Sequence, residues 1–169
     1  MVKSDKGVIV RFYRFHNRLR EKVAGLGVKP GEASVSLEAL EKAEEAMQKM
    51  SEDYPDWVSS LLATLSEHHG RCVDTPEERN DHFEEINHVA HDMKGQGGTF
   101  GYPLISAFSD SLYNFTVGKH LRTDNEVEIV RSHVDAMRAV IKGRVSGDGG
   151  KIGVELTKGL NAAIKKYAE

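Results

Sequence analysis

The sequence predicts an all-α fold, an up-and-down helical bundle with additional N- and C-terminal helices, and three observations carry that reading. Apolar residues recur at spacings of three and four along most of the chain, strand signals are nearly absent, and Gly and Pro cut the periodic segments apart with short loops. With 169 residues, 39% of them hydrophobic and 29% charged, the chain is long enough to bury one core without disulfides or metals.

Residues 1–35 form a basic N-terminal accessory segment carrying Arg11, Arg14, Arg18, Arg20 and Lys22. Its backbone is readable in two ways: Val8 to Tyr13 extends as a strand, or Phe12, Phe15, Leu19 and Val23 line a helix. The helical domain occupies residues 36–169. Ser36 is a plausible N-cap for a flanking helix over 36–50 with Leu37, Leu40, Met47 and Met50, which Ser51 to Pro55 breaks. A second helix runs from Pro55 to about Gly70 on Val58, Leu61, Leu62 and Leu65.

The third helix has the strongest start signal: Asp74 or Thr75 as cap, Pro76 at the first helical position, and Glu77 and Glu78 at the positive end of the dipole. Its core stripe is Phe83, Ile86, Ala90, Met93 and Gly97, and Gly98 to Pro103 makes the turn. Leu104, Ile105, Phe108, Leu112 and Phe115 define a fourth helix ending near Gly118. Val127, Val130, Val134, Met137 and Ile141 define a fifth from about Thr123 to Gly143. After the loop Gly147 to Gly150, a flanking helix over 152–168 carries Leu156, Leu160, Ala163, Ile164 and Tyr167.

Composition excludes several classes of function. A net charge of −3 argues against nucleic-acid binding, which requires a basic surplus to neutralise phosphates. No apolar run approaches the roughly 20 residues a bilayer span needs, and Val8-Ile9-Val10 is too short for a signal-peptide core, so no membrane association is expected. The single cysteine, Cys72, fits a reducing cytoplasm. A soluble cytoplasmic protein, expected to be a monomer, follows from these features.

The chemistry concentrates in Ala90-His91-Asp92-Met93-Lys94-Gly95-Gln96-Gly97-Gly98-Thr99-Phe100-Gly101. If Phe83, Ile86, Ala90 and Met93 face the core, the next face holds Glu84, Asn87, His88, His91, Lys94, Gly95 and Gly98, which makes His91 outward-looking. Lys94 and Gly95 sit one turn further on, on the same side. An ammonium beside an imidazole is unfavourable if the ring carries a proton and favourable if it carries a phosphoryl group. Gly95, Gly97 and Gly98 each cost up to about 1 kcal/mol against Ala inside a helix, so something must offset them. Gly97 on the core stripe permits a close helix approach. Gly95 beside His91 leaves access for a partner.

An exposed His followed at three and four positions by Lys and Gly, with a further Gly before the next helix, resembles the histidine phosphotransfer (HPt) domains of bacterial phosphorelays; here these are His91, Lys94, Gly95 and Gly101. The resemblance covers about Pro55 to Gly143 and implies a four-helix core over about 55–143. It also implies that His91 accepts a phosphoryl group from a receiver aspartyl-phosphate and passes it to another receiver, with Lys94 stabilising the phosphate. Gln96 replaces the small or hydroxyl residue usual after Lys-Gly and is a candidate support for phosphate or imidazole. The supporting polar position on the following helix falls near Tyr113. The implied partners are response-regulator receiver domains, with a hybrid sensor kinase as a further candidate. No cofactor or metal of the chain's own is implied, since Mg²⁺ belongs to the receiver, and the chain is a transfer intermediate rather than an enzyme.

Two readings compete. His91-Asp92 is similar to the pair in HD-type metal-dependent phosphohydrolases, with His68 or His69 and Asp124 or Asp135 as further ligands. Adjacent helix positions diverge by about 100 degrees, which counts against it. His88 with His91, or His68 with Cys72, has helical metal-ligand spacing, although scattered histidines are more often surface residues than ligands. The glycine-rich run is unsuited to a nucleotide, because it closes a helix instead of following a strand. The other reading is a receiver-binding module that is never phosphorylated; the presence of both His91 and Lys94 counts against it.

Overall fold

A computed structural model describes residues 37–118 and 122–167, and all regular structure among them is helical. The five α-helices are α1 (Leu37–Asp74), α2 (Arg79–Lys94), α3 (Pro103–Thr116), α4 (Asp124–Lys142) and α5 (Gly150–Tyr167). The basic accessory segment 1–35 lies outside the described residues. The chain divides into two compact units, residues 1–44 and 45–169. The described part of the first, Leu37 to Glu44, is exposed helix with a Lys42–Glu38 ion pair of 2.7 Å one turn apart.

The expected break at Ser51–Pro55 does not occur: α1 runs through Pro55 without interruption. Proline inside a helix removes one backbone hydrogen bond and costs about 3 kcal/mol, so packing on either side must offset it. Tyr54 and Val58, buried on the two sides, supply that packing, and Tyr54 stacks on Phe100 and Tyr102 with ring centroids 4.8 and 5.6 Å away. The expected cap at Asp74 or Thr75 also differs. Asp74 ends α1; Thr75 precedes Pro76 at the N-cap of a 3₁₀ turn, as expected, but its hydroxyl makes no cap and turns back to donate to the Arg71 carbonyl (2.8 Å), so the N-cap of α2 itself is Glu78. Pro76–Glu78 makes a single 3₁₀ turn before α2. The start of α4 is capped as its sequence directs, Thr123 and Glu126 forming a reciprocal capping box.

Side-chain pairings give the alternation of helix directions. Between α1 and α2, the Ser51 hydroxyl donates to the Phe100 carbonyl beyond the end of α2 (3.3 Å), and Arg79 at its start donates to the Cys72 carbonyl near the end of α1 (2.7 Å). Across α2 and α3, Lys94 meets Asp110 while the earlier Asn87 meets the later Thr116. Across α3 and α4, Ser109 meets Met137 and Ser111 meets His133. Arg138 on α4 closes the ring by donating to the Ser66 hydroxyl on α1 (2.7 Å). The helices therefore run up, down, up and down, and α5 packs on α4.

The core holds the stripes that periodicity identifies from Val58 onward, whereas Leu37, Leu40, Met47 and Met50 of the expected first stripe are exposed. Phe83, Ile86, Ala90 and Met93 of α2 have no solvent exposure, and Val58 and Leu65 of α1, Ile105 and Leu112 of α3 and Met137 of α4 are as fully covered. Burying such side chains, at roughly 1.5–3 kcal/mol each, is what stabilises helices that would be marginal alone. Among the described residues no helix is long and apolar enough to cross a membrane.

Candidate functional site

α2 ends at Lys94, earlier than its stripe suggests, and residues 95–101 are turns. The stripe nevertheless continues in effect, because Gly97 is buried against α3. A Cβ there would lie 2.6 Å from the Tyr102 carbonyl and 2.8 Å from the Ser106 nitrogen, so only glycine allows the two segments to meet this closely. The Ser106 hydroxyl accepts from the Gly98 N–H (3.1 Å), and the Gly147 N–H donates to the Gly101 carbonyl (2.8 Å). Gly101 takes φ +82°, a left-handed conformation that favours glycine. These contacts fix the end of the α2–α3 hairpin, where His91 and Lys94 sit.

His91 is exposed, with its ring tilted by 51° against that of Tyr113 on α3 at a centroid distance of 5.2 Å. Among the described residues nothing hydrogen-bonds its imidazole, so the ring is oriented by packing and its nitrogens are open to a partner. Lys94 holds its ammonium 3.8 Å above the centroid of the same Tyr113 ring. The ammonium is also 3.6 Å from the Asp110 carboxylate. His91 and Lys94 are thus brought together on one aromatic platform. Tyr113 is itself fixed from below, since Asn87 donates to its carbonyl (3.0 Å) and to the Thr116 hydroxyl (2.8 Å).

Gly95 and Gly98 face open space: a Cβ at either would meet nothing within 4 Å. Gln96 goes elsewhere. It is half-buried on the α1 side, lining with Gly95, Met50, Tyr54, Trp57 and Phe100 a largely apolar groove of about 600 Å³. Among the described residues its side-chain amide has no hydrogen-bond partner. Tyr54 closes the groove floor with its hydroxyl buried and unpartnered, and burial followed by the neighbouring Tyr102 pushes its pKa up to about 12.

Asp124, Asp135 and His68, also nominated, are engaged separately. Asp124 pairs with Arg79 at 2.6 Å, Asp135 pairs with Arg138 at 2.6 Å, and the Nδ1 atoms of His68 and His82 lie 3.3 Å apart. Cys72 is buried, and its thiol is raised to about 11 chiefly by that burial, which disfavours the thiolate a metal would need. Among the described residues no three His, Cys, Asp or Glu side chains converge as metal ligands. His133 was not singled out by the sequence, yet it is fully buried. Its Nδ1 donates to the Ile129 carbonyl (2.8 Å), which leaves Nε2 to accept from the Ser111 hydroxyl (3.0 Å). Asp110 was missed as well; only the pairing of α2 with α3 brings it to Lys94.

Compared with known proteins, the chain matches no family model, no curated protein and no solved structure.

Proposed function

We propose that the chain is a histidine-containing phosphotransfer protein of a two-component phosphorelay, with His91 as its phosphoryl acceptor. The observation that carries this reading is an exposed imidazole and an ammonium held on the same Tyr113 ring, at a hairpin end whose glycines leave the approach open. In the transfer, an unprotonated ring nitrogen of His91 attacks the phosphorus of a receiver's aspartyl-phosphate. The N–P bond forms, the P–O bond to the aspartyl carboxyl breaks, and the carboxylate leaves with the electron pair. The reverse exchange on a second receiver's Asp empties His91.

Lys94 contributes a charge-assisted contact to the phosphoryl oxygens, and its place on the Tyr113 ring keeps it within one turn of the acceptor. Gly95 gives the incoming loop clearance. The apolar groove on the α1 side of Gly95 offers the docking area that an exposed polar centre alone lacks. The receivers bring the Asp and the Mg²⁺, a hybrid sensor kinase is the natural source of the first phosphoryl group, and the carrier works as a cytoplasmic monomer between them.

The test is incubation with a phosphorylated receiver domain and Mg²⁺, followed by assay for acid-labile, alkali-stable phosphate on this chain. Labelling of the wild type and none of His91→Gln is expected. A fully labelled His91→Gln removes the assignment. A chain that binds the receiver yet takes no phosphate is instead a receiver-binding module.

A further inference from the structure

The Lys94 ammonium is already occupied when His91 is bare. It lies 3.6 Å from Oδ1 of Asp110 while the other carboxylate oxygen, Oδ2, accepts from the Asn114 side-chain amide at 3.2 Å. The carboxylate is therefore held in place by a donor on its own helix, one turn further along α3. Asp110 also lies one turn before Tyr113, whose ring lies under Lys94 and against His91. Three groups of α3 thus determine where the α2 ammonium rests: a carboxylate, the amide that holds it, and an aromatic face.

We propose that Asp110 is a built-in competitor for Lys94, a positioning residue that keeps phosphorylated His91 poised to give its phosphoryl group away. This rests on the phosphotransfer reading above. In the bare state Asp110 holds the ammonium beside the acceptor. Once the N–P bond has formed, two anions claim one ammonium: the phosphoryl oxygens on His91 and the Asp110 carboxylate. Whichever share Lys94 keeps with Asp110 is withheld from the phosphoryl group. Phosphohistidine is destabilised relative to the receiver's aspartyl-phosphate, a useful bias for an intermediate that must be emptied at the next step. The Tyr113 face lets the ammonium move between the two anions without losing its cation–π contact.

The experiment is the equilibrium partition of labelled phosphoryl between a receiver domain and the full chain, for wild type, Asp110→Asn, Asp110→Glu, Lys94→Ala and the Asp110→Asn/Lys94→Ala double variant. Folding of each is checked by circular dichroism. Asp110→Asn should raise the equilibrium ratio of phosphoryl on His91 to phosphoryl on the receiver by about two- to five-fold, the range of a partly exposed ion pair. Asp110→Glu should restore the wild-type partition. The gain should shrink with added salt, which a merely structural effect would not do. It should also be much smaller in the Lys94→Ala background, because the competition then has no object. Unchanged or reduced phosphorylation in Asp110→Asn, or the same gain without Lys94, overturns the competitor role while leaving phosphotransfer intact. A wild type that takes no label overturns phosphotransfer, and the competitor role with it.

Discussion

His91 on α2 and His133 on α4 both pack beside aromatic residues of α3, and the bundle treats the two imidazoles in opposite ways. His91 is exposed, oriented against Tyr113 at 5.2 Å, and has no hydrogen-bond partner among the described residues. His133 is fully buried beside Phe115, with one nitrogen donating to Ile129 and the other accepting from Ser111. A buried imidazole with both nitrogens spent cannot act on anything outside the fold. Packing without hydrogen bonds leaves an imidazole directed but free, which is what a nucleophile for an external phosphoryl donor requires.

The same substitution at the two sites should separate these roles most strongly. His91→Gln is expected to abolish phosphoryl acceptance while changing stability by no more than about 0.5 kcal/mol, as for other exposed positions. His133→Gln should do the reverse. The amide cannot reproduce an in-line donor and acceptor across a ring, so a loss of about 1–3 kcal/mol in denaturant unfolding is expected, with transfer retained by the folded fraction. Loss of transfer in a folded His133→Gln, or strong destabilisation by His91→Gln, would erase the distinction.

A smaller contrast divides the glycines beside His91. Gly97 faces backbone that cannot move aside, and Gly97→Ala should cost about 1–3 kcal/mol through overpacking at the Tyr102 and Ser106 contacts. Gly95 closes α2 with φ −77° and ψ −14°, ordinary right-handed helical values, and has open space around it. Gly95→Ala should therefore stabilise by about 0.4–1 kcal/mol. Gly95→Leu should leave thermal unfolding near wild type and, on the phosphotransfer reading, slow transfer, because it fills the approach to His91. A Gly95→Leu chain that exchanges phosphate at the wild-type rate would show that receivers do not use this face.

The glycines also show what was legible in the sequence. The α2 stripe, the exposure of His91 and the close approach at Gly97 all follow from a period of 3.6 residues, because each is settled within one helix and the turn after it. Pro55 was misread for the complementary reason. Its effect on α1 is decided by Phe100 and Tyr102, distant in sequence, which anchor Tyr54 and hold the helix together through the proline. Asp110 and His133 stayed invisible because Lys94 and Ser111, one partner of each, lie across helix seams, and a periodic pattern gives the face of a helix without the register of its neighbour. Tyr113 was half legible: the resemblance put a supporting position of the following helix near it, while its role as a shared platform for the His91 ring and the Lys94 ammonium came from the packing.

The smallest expected effect is that of pH. Burial lowers the pKa of His133 below its ordinary value of 6.5, and its donation to the Ile129 carbonyl offsets this only in part. The unfolded chain therefore binds a proton at this site more readily than the folded one, and protonation favours unfolding. The sign follows: stability is full above about pH 6.5 and falls as the pH drops from there towards the lower folded-state pKa, with a slope from this one group of at most about 1.4 kcal/mol per pH unit. His69, lowered chiefly by its own burial, adds in the same direction. Urea unfolding of wild type and His133→Gln between pH 7.5 and 5 isolates the share of His133, since the variant lacks its proton and should lose stability less steeply. Parallel curves for the two proteins would mean that His133 titrates alike folded and unfolded, and the assignment of its two hydrogen bonds would fall with it.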